Sequence, residues 1–353
     1  MAKKQEVLQN IDSSIEKIKN KEQKIIFLIP DTKGNARASV SVLYRQAMSL
    51  KNLGYSVAML NEKKDSINAS TWLGSEYDTL DHFSIEENNL TMGPQDFLIV
   101  PEIFGNVFEQ LEKLPMEKIL FVQSFEYMLD AYAPGKSFID FGVTECMTTS
   151  DTLSKLITDV LPLNTVQVIP IGIPDLFKPT ENLTKPIVAI HCRDARKAAK
   201  IIKTFYLKYP IYRFVSFKDM HTMTEVDFAN NLKDCCLSIW VDDDSSFGTF
   251  PVESIKCNVP VIGKVPNIIG EWMDDNNGMW VYDENQIVDL TSAYVKNWLE
   301  DNIPENLQNV STTLDGKYGM VEFEEKTKLV YEYYFQNRID KLEKIKEDYM
   351  KTA

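Results

Sequence analysis

The chain has 353 residues, 44% hydrophobic and 25% charged, which sets disorder aside and favours two domains of ordinary size over a single core. Its formal net charge of -14 works against broad binding along a phosphate backbone, so nucleic acid is not the default partner and would need a local basic groove. No apolar run approaches the ~18 to 20 residues that span a bilayer, and Met1 to Asn20 is too polar for a signal peptide, so the expected location is the cytoplasm.

Residues 1–23 read as a helical leader. Its basic excess (Lys3, Lys4, Lys17, Lys19 and Lys21, extended by Lys24) is taken as a solvated face rather than as peripheral membrane contact. Lys24 to Pro30 (KIIFLIP) is an apolar run ending in the turn cluster Asp31 to Ala38; a helical pattern over Ser39 to Leu53, the stop at Gly54 and the run Ser56 to Leu60 complete a βαβ unit. The alternation continues with strands at Phe97 to Val100, Ile119 to Val122, Val143 to Thr148 and Val166 to Ile171. Helices are expected near Asn106 to Leu114 and over Asp151 to Val160. Continuous apolar runs of this kind mark buried parallel strands. Gly172 to Pro186, rich in Pro and Gly, is the expected linker.

A second α/β alternation follows. Strands are expected at Ile187 to Cys192, Tyr212 to Phe217, Leu237 to Val241 and Pro260 to Gly263, with helices at Arg196 to Tyr209, Val226 to Cys235, from Phe250, and at Gln286 to Leu299. Val321 to Met350 reads as one long helix with Phe323, Val330, Tyr333, Tyr334, Leu342 and Ile345 at helical spacing. The expected domains are therefore 1–23, 24–172, 173–320 and 321–353, the last helix leaning on both larger ones.

In open parallel sheets ligands bind beyond the carboxyl ends of the strands, so the loops after the apolar runs are the candidates. Asp31 to Arg37 sets Gly34, Lys33 and Arg37 before a helix start, in a spacing that is neither GxGxxG nor a Walker A loop. The second loop crowds Arg193, Arg196 and Lys197 at a strand end, where a diphosphate is the natural guest and salt bridges to Asp194 and other acids are the plain alternative. In the third, Asp242 to Cys257, amides around Phe247, Gly248, Thr249 and Val252 could hold phosphate or sugar hydroxyls, and Glu253 could accept hydrogen bonds from a ribose diol. Asp242, Asp243 and Asp244 suggest a metal, but consecutive strand residues face opposite ways, and no metal is expected. Gln123, Ser124 and Tyr127 follow ILFV, in another loop beyond a strand end, and are candidate ligand contacts.

Cys146, Cys192, Cys235, Cys236 and Cys257 lack a CxxC pair or a histidine at ligand spacing, which indicates buried reduced thiols. His82, His191 and His221 form no paired-ligand spacing and are read as structural or solvated. The sequons at Asn68, Asn89, Asn182 and Asn309 carry no consequence in a reducing compartment.

Phe247 to Val281 (FGTFPVESIKCNVPVIGKVPNIIGEWMDDNNGMWV) resembles the donor-binding segment of the retaining GT-B glycosyltransferases, specifically their large family 4. That family carries a pair of glutamates with seven residues between them. Glu253 falls on the second, Glu271 and Gly278 match later positions, and Ser245 replaces the first. Thr148 to Ile157 and Val166 to Pro179 (VQVIPIGIPDLFKP) resemble its interdomain signature, and Arg193 matches its donor-phosphate arginine, with Arg196 or Lys197 in place of the usual lysine. The style also resembles glycosyltransferases of bacterial viruses, which implies a host cytoplasm.

The resemblance implies an α/β GT-B fold, two Rossmann-like domains facing a central cleft with a long C-terminal helix. It implies a retaining, metal-independent hexosyltransferase without a cofactor, using a nucleotide-sugar such as UDP-glucose. Candidate catalytic residues are Arg193, Arg196, Lys197 and Glu253; candidate donor contacts are Gly34, Ser245, Phe247, Gly248, Thr249, Val252 and Glu253; candidate acceptor contacts are Lys33, Arg37, Gln123, Ser124 and Tyr127. A nucleotide-sugar binding protein without turnover and a GT-B sugar-nucleotide epimerase are the alternatives, and monomer and homodimer both stay open.

Overall fold

Buried apolar runs that cannot satisfy their own amides assemble into two all-parallel sheets in this computed structural model, which describes residues 2–163, 165–180 and 185–351. Asn182, part of the expected linker, and the side chains of Lys3 and Lys4 lie outside the described residues. The chain divides into two units, 1–172 with 321–353, and 173–320, each described by itself below.

The first unit runs α1 (Ala2–Lys19), β1 (Lys24–Ile29), α2 (Ala38–Asn52), β2 (Ser56–Asn61), α3 (Ser70–Leu73), β3 (Asp81–Ser84) and β4 (Phe97–Pro101). It continues with α4 (Phe108–Leu111), β5 (Glu117–Val122), α5 (Phe125–Asp130), β6 (Glu145–Thr148), α6 (Asp151–Val160) and β7 (Thr165–Val168). Its seven strands are ordered β3-β2-β1-β4-β5-β6-β7, the Rossmann arrangement, with the order reversing between β1 and β4. β1 is buried from Ile25 onward, as its unbroken apolar sequence demands. The helix expected over Asn106 to Leu114 shrinks to the single turn α4, because a 3-10 segment occupies Glu102–Val107 before it.

The second unit contains β8 (Ile187–Cys192), α7 (Ala195–Lys208), β9 (Ser216–Asp219), α8 (Glu225–Lys233), β10 (Leu237–Val241), α9 (Thr249–Lys256), β11 (Val261–Lys264), β12 (Gly278–Val281) and α10 (Ile287–Leu299). The sheet order is β12-β11-β10-β8-β9, which reverses between β8 and β10. Asp194 caps α7 by accepting from the Arg196 amide at 2.8 Å, and Thr224 caps α8 from Asp227 at 3.1 Å. The strand expected over Tyr212 to Phe217 starts later, at Ser216, because Pro210–Tyr212 forms a 3-10 turn.

The last helix, α11 (Met320–Lys351), belongs to the first unit from Val321 onward. Tyr331 donates to Gln46 Oε1 at 3.1 Å and Tyr334 to the Cys146 carbonyl at 2.7 Å, while Phe335 packs against Phe97 and Tyr55. Of the helical positions read from the sequence, Tyr333 and Ile345 are instead solvent-facing. At the amino ends of β5 and β6, Arg338 and Lys341 clasp Glu117 at 2.8 and 2.7 Å, and Lys341 also reaches Glu145 at 3.1 Å. All five cysteines are buried free thiols.

Candidate functional site

Crevices in open α/β sheets form where neighbouring strands send their following helices to opposite sides. In the second unit that point lies between β8 and β10, and the loops that follow both strands carry the residues singled out in the sequence. Arg193 leaves β8 and Asp242 leaves β10, and Arg193 Nε meets Asp242 Oδ2 at 2.9 Å. Lys197, in the first turn of α7, reaches Asp243 at 3.1 Å and Glu284 at 3.4 Å. His191 at the end of β8 stacks on Phe250 in the first turn of α9 with ring centroids 5.0 Å apart, so β8 and α9 meet at this edge. Arg196 is exposed beside them.

Lys264 joins this group without a local sequence signal. It ends β11, on the same edge, and its ammonium bonds Asp243 Oδ1 while Lys197 takes Oδ2. The hydrogen bond from Lys264, with Lys197 behind it, holds the Asp243 carboxyl below its usual range. Burial holds Asp242 above its own, even with Arg193 alongside. The acidic triplet also needs correcting. Asp242 to Asp244 follow β10 rather than lie within it, so strand alternation does not govern them; Arg193, the two lysines and Asn267 engage the three in turn.

The loop from Ser245 to Gly248 is held from below. Trp272 donates to the Phe247 carbonyl at 2.5 Å, and Phe247 packs edge-on to Tyr318. Gly248 starts α9 at φ 78°, where a Cβ would stand 3.0 Å from both Trp240 and Trp272. It brings no capping side chain, and the first-turn amides of a helix lack intrahelical partners. Pro251 withholds one of them. Thr249 and Glu253 are half-buried. Val252 is wholly buried, so any contribution it makes is through its backbone. Ser245, at the position of the first glutamate, is also buried. Glu271 is exposed, and Gly278 opens β12 where a Cβ would meet Trp280 at 2.6 Å.

His191 lies under this edge, its ring between Phe250 and His221, centroids 4.6 Å from the latter. Burial, reinforced by the His221 ring, pushes its pKa down to about 4, so it is a neutral ring at pH 7.

In the first unit the order reverses between β1 and β4. The loop after β1 carries Lys33 and Gly34, at φ 51° and 76°, and Arg37, whose carbonyl accepts the first bonds of α2 from Val40 and Ser41 at 3.0 Å. The loop after β4 carries Glu102, a residue the sequence reading did not select: an acid directly after FLIVP was its only signal. It is 3% exposed, with Oε1 accepting from the Ser124 amide at 2.8 Å. Its Oε2 is buried without a partner among the described residues. Burial outweighs the hydrogen bonds and pushes its pKa up to about 7. In the loop after β5, Gln123 donates to the Ser39 carbonyl at 3.0 Å, tying that loop to α2. Ser124 is buried as the cap of α5, accepting from Tyr127 at 3.4 Å, and Tyr127 is 43% exposed.

No family model and no curated protein matches the chain. Solved structures do. Anabaena HepE bound to UDP-glucose aligns at a TM-score of 0.64 with 11% identity, over 88% of this chain and 99% of that one. Sucrose-phosphate synthase from Thermosynechococcus elongatus gives 0.63 and 13%, over 89% and 100%. The pneumococcal O-GlcNAc transferase GtfA, with UDP and GlcNAc, gives 0.60 and 8%, over 90% and 99%. The fold is that of the GT-B glycosyltransferases. A GT-B chain has two Rossmann-like units, and the 7- and 5-stranded sheets here supply them. No helix among the described residues is long and apolar enough to cross a membrane.

Proposed function

We propose that the chain is a glycosyltransferase that moves a sugar from a nucleotide-sugar donor, with retention of anomeric configuration and without a metal ion. One observation carries this reading: cations from neighbouring strand ends, Arg193, Lys197 and Lys264, share the switch-point edge with the start of α9. The neighbours' complexes with UDP, UDP-glucose and GlcNAc support a UDP-sugar as the first donor to try.

The proposed chemistry follows from where charge develops. As the glycosidic bond to the diphosphate breaks, negative charge grows on the leaving phosphate. Fixed guanidinium, ammonium and helix amide groups stabilise that state more than the ground state. Arg193 and Lys197 exchange Asp242 and Asp243 for phosphate oxygens, so the acids keep the cations in place until donor arrives. Glu253 accepts from the ribose diol. Ser245 offers the sugar one hydrogen bond and no charge. The first unit contributes the acceptor contacts, with Lys33, Arg37, Gln123 and Tyr127 as candidates.

The test begins with thermal-shift screening against UDP, GDP, ADP and their sugars, since a ligand that prefers the native state raises its apparent stability. Arg193→Ala and Lys264→Ala each weaken nucleotide binding roughly 10- to 100-fold, the worth of a hydrogen bond to a charged group. Chromatography of donor and products should show transfer or hydrolysis by the unaltered protein, lost in Arg193→Ala and Glu253→Ala. Tight donor binding with no turnover supports the binding-protein alternative, for which the buried Ser245 at a glutamate position speaks. An isomerised free sugar-nucleotide supports an epimerase.

A further inference from the structure

Away from the donor loops, the second unit carries a surface unlike the rest of this acidic chain. Beyond Lys197, the 21 residues from Ala198 to Lys218 hold five Lys and Arg and no Asp or Glu, in a protein with a net charge of -14. Three large apolar side chains protrude from the same stretch: Leu207 is 84% exposed, Ile211 76% and Phe214 56%. Lys203 and Leu207 are four residues apart on one face of α7, and the turn at Pro210–Tyr212 carries Ile211 onward toward Arg213 and Phe214. Lys203 and Arg213 are exposed and without an ion-pair partner among the described residues. Two of the other cations are paired: Asp289 of α10 holds Lys208 at 2.5 Å, and Asp234 holds Lys218 at 3.3 Å.

From these observations we infer that the end of α7 and the turn after it form a docking surface for an anionic lipid bilayer. Protruding apolar side chains flanked by cations suit the headgroup boundary, where the apolar tips leave water and the ammonium and guanidinium groups stay with lipid phosphates. A protrusion is also the wrong shape for a cavity-bound ligand. A symmetric second copy is disfavoured, because a twofold contact sets Lys203 and Arg213 against their own counterparts. The net negative charge elsewhere does not cancel the attraction, since it is screened beyond a Debye length of about 8 Å at physiological salt. The surface runs toward the C-terminal end of α7, with Lys203 about 9 Å and Leu207 about 15 Å along the helix beyond Lys197. The inference stands apart from the transferase reading and survives its failure.

The experiment is flotation of the full chain with vesicles of phosphatidylcholine alone or of equal parts phosphatidylcholine and phosphatidylglycerol. We expect binding to the anionic vesicles only. Lys203→Ala combined with Arg213→Ala lowers the partition coefficient roughly 30-fold, each cation near the surface being worth about fivefold. Leu207→Ser with Ile211→Ser and Phe214→Ser abolishes flotation while leaving the circular dichroism and melting temperature unchanged, as exposed positions allow. Absence of the unaltered protein from anionic vesicles overturns the proposal, as does equal partitioning of the charge variant. Self-association in sedimentation, lost in the apolar variant and without vesicle binding, assigns the surface to a second copy instead.

Discussion

Gly248 shows how much of the proposed donor edge rests on one absent methyl. Its φ of 78° is open to glycine at little cost, and the two tryptophan rings already stand 3.0 Å from where a Cβ would go. Gly248→Ala therefore adds overpacking to backbone strain. A loss of about 2 to 4 kcal/mol is expected in urea unfolding, together with weakened nucleotide binding as the start of α9 shifts. Gly316 is the control. Its φ is 72° but nothing lies within 4 Å of the added carbon, so Gly316→Ala costs only the backbone term, about 1 kcal/mol. Equal losses at the two positions refute the packing argument. Single residues were also the hardest features to read from sequence. Arg193 was legible because two more cations crowd the same strand end, whereas Lys264 and Glu102 are lone charges after apolar runs, and only the strand order places them at an edge with partners.

At the scale of elements, legibility followed burial. β1, β4, β8 and β10 are predominantly apolar because they lie inside their sheets, and Leu237–Val241 is buried throughout. β3 escaped notice for the complementary reason: it is an edge strand, Asp81–Ser84, with a mixed exposure pattern and a polar sequence. β9 is the other case. The apolar residues near Tyr212 to Phe214 that suggested a strand are largely exposed in a turn, so hydrophobicity there reports a surface and not a core. α11 was legible from its spacing, but its attachment was not, because its anchors come from residues 168 or more positions earlier. Arg338 donates to Glu117 at 2.8 Å and to the carbonyls of Pro94 and Pro115, each at 2.7 Å. Arg338→Met leaves the buried Glu117 carboxylate and the half-buried Pro94 carbonyl short of a donor and is expected to cost about 2 to 4 kcal/mol in chemical denaturation. Lys328→Ala, which removes an exposed pair with Glu332 at 4.0 Å, is expected to cost under about 0.5 kcal/mol. A similar loss in both removes the clasp from the account of how α11 is held.

For the whole molecule, two buried titrating groups, one in each unit, set opposite pH dependences. Glu102 in the first unit is raised from 4.5 to about 7. Its contribution is complete below pH 4.5 and is lost as pH rises through 7, because the unfolded chain then releases a proton that the folded unit retains. His191 in the second unit is lowered from 6.5 to about 4. Its contribution is complete above pH 6.5 and is lost as pH falls through 4, since the unfolded chain takes up a proton that the buried ring refuses. Between 4.5 and 6.5 the two slopes oppose each other, so these groups together leave a flatter profile than either alone. Glu102→Gln keeps an oxygen to accept from Ser124 and removes the ionisation. Scanning calorimetry should find this variant more stable than the unaltered protein above pH 7, by up to about 3 kcal/mol, with the advantage gone at acid pH. His191→Phe keeps an aromatic ring against Phe250 and His221. It should gain relative stability as pH falls through the 6.5 to 4 window, with its transition in the second unit. The sign of each change is the test: an offset independent of pH in either variant means that packing, and not ionisation, dominates at that site.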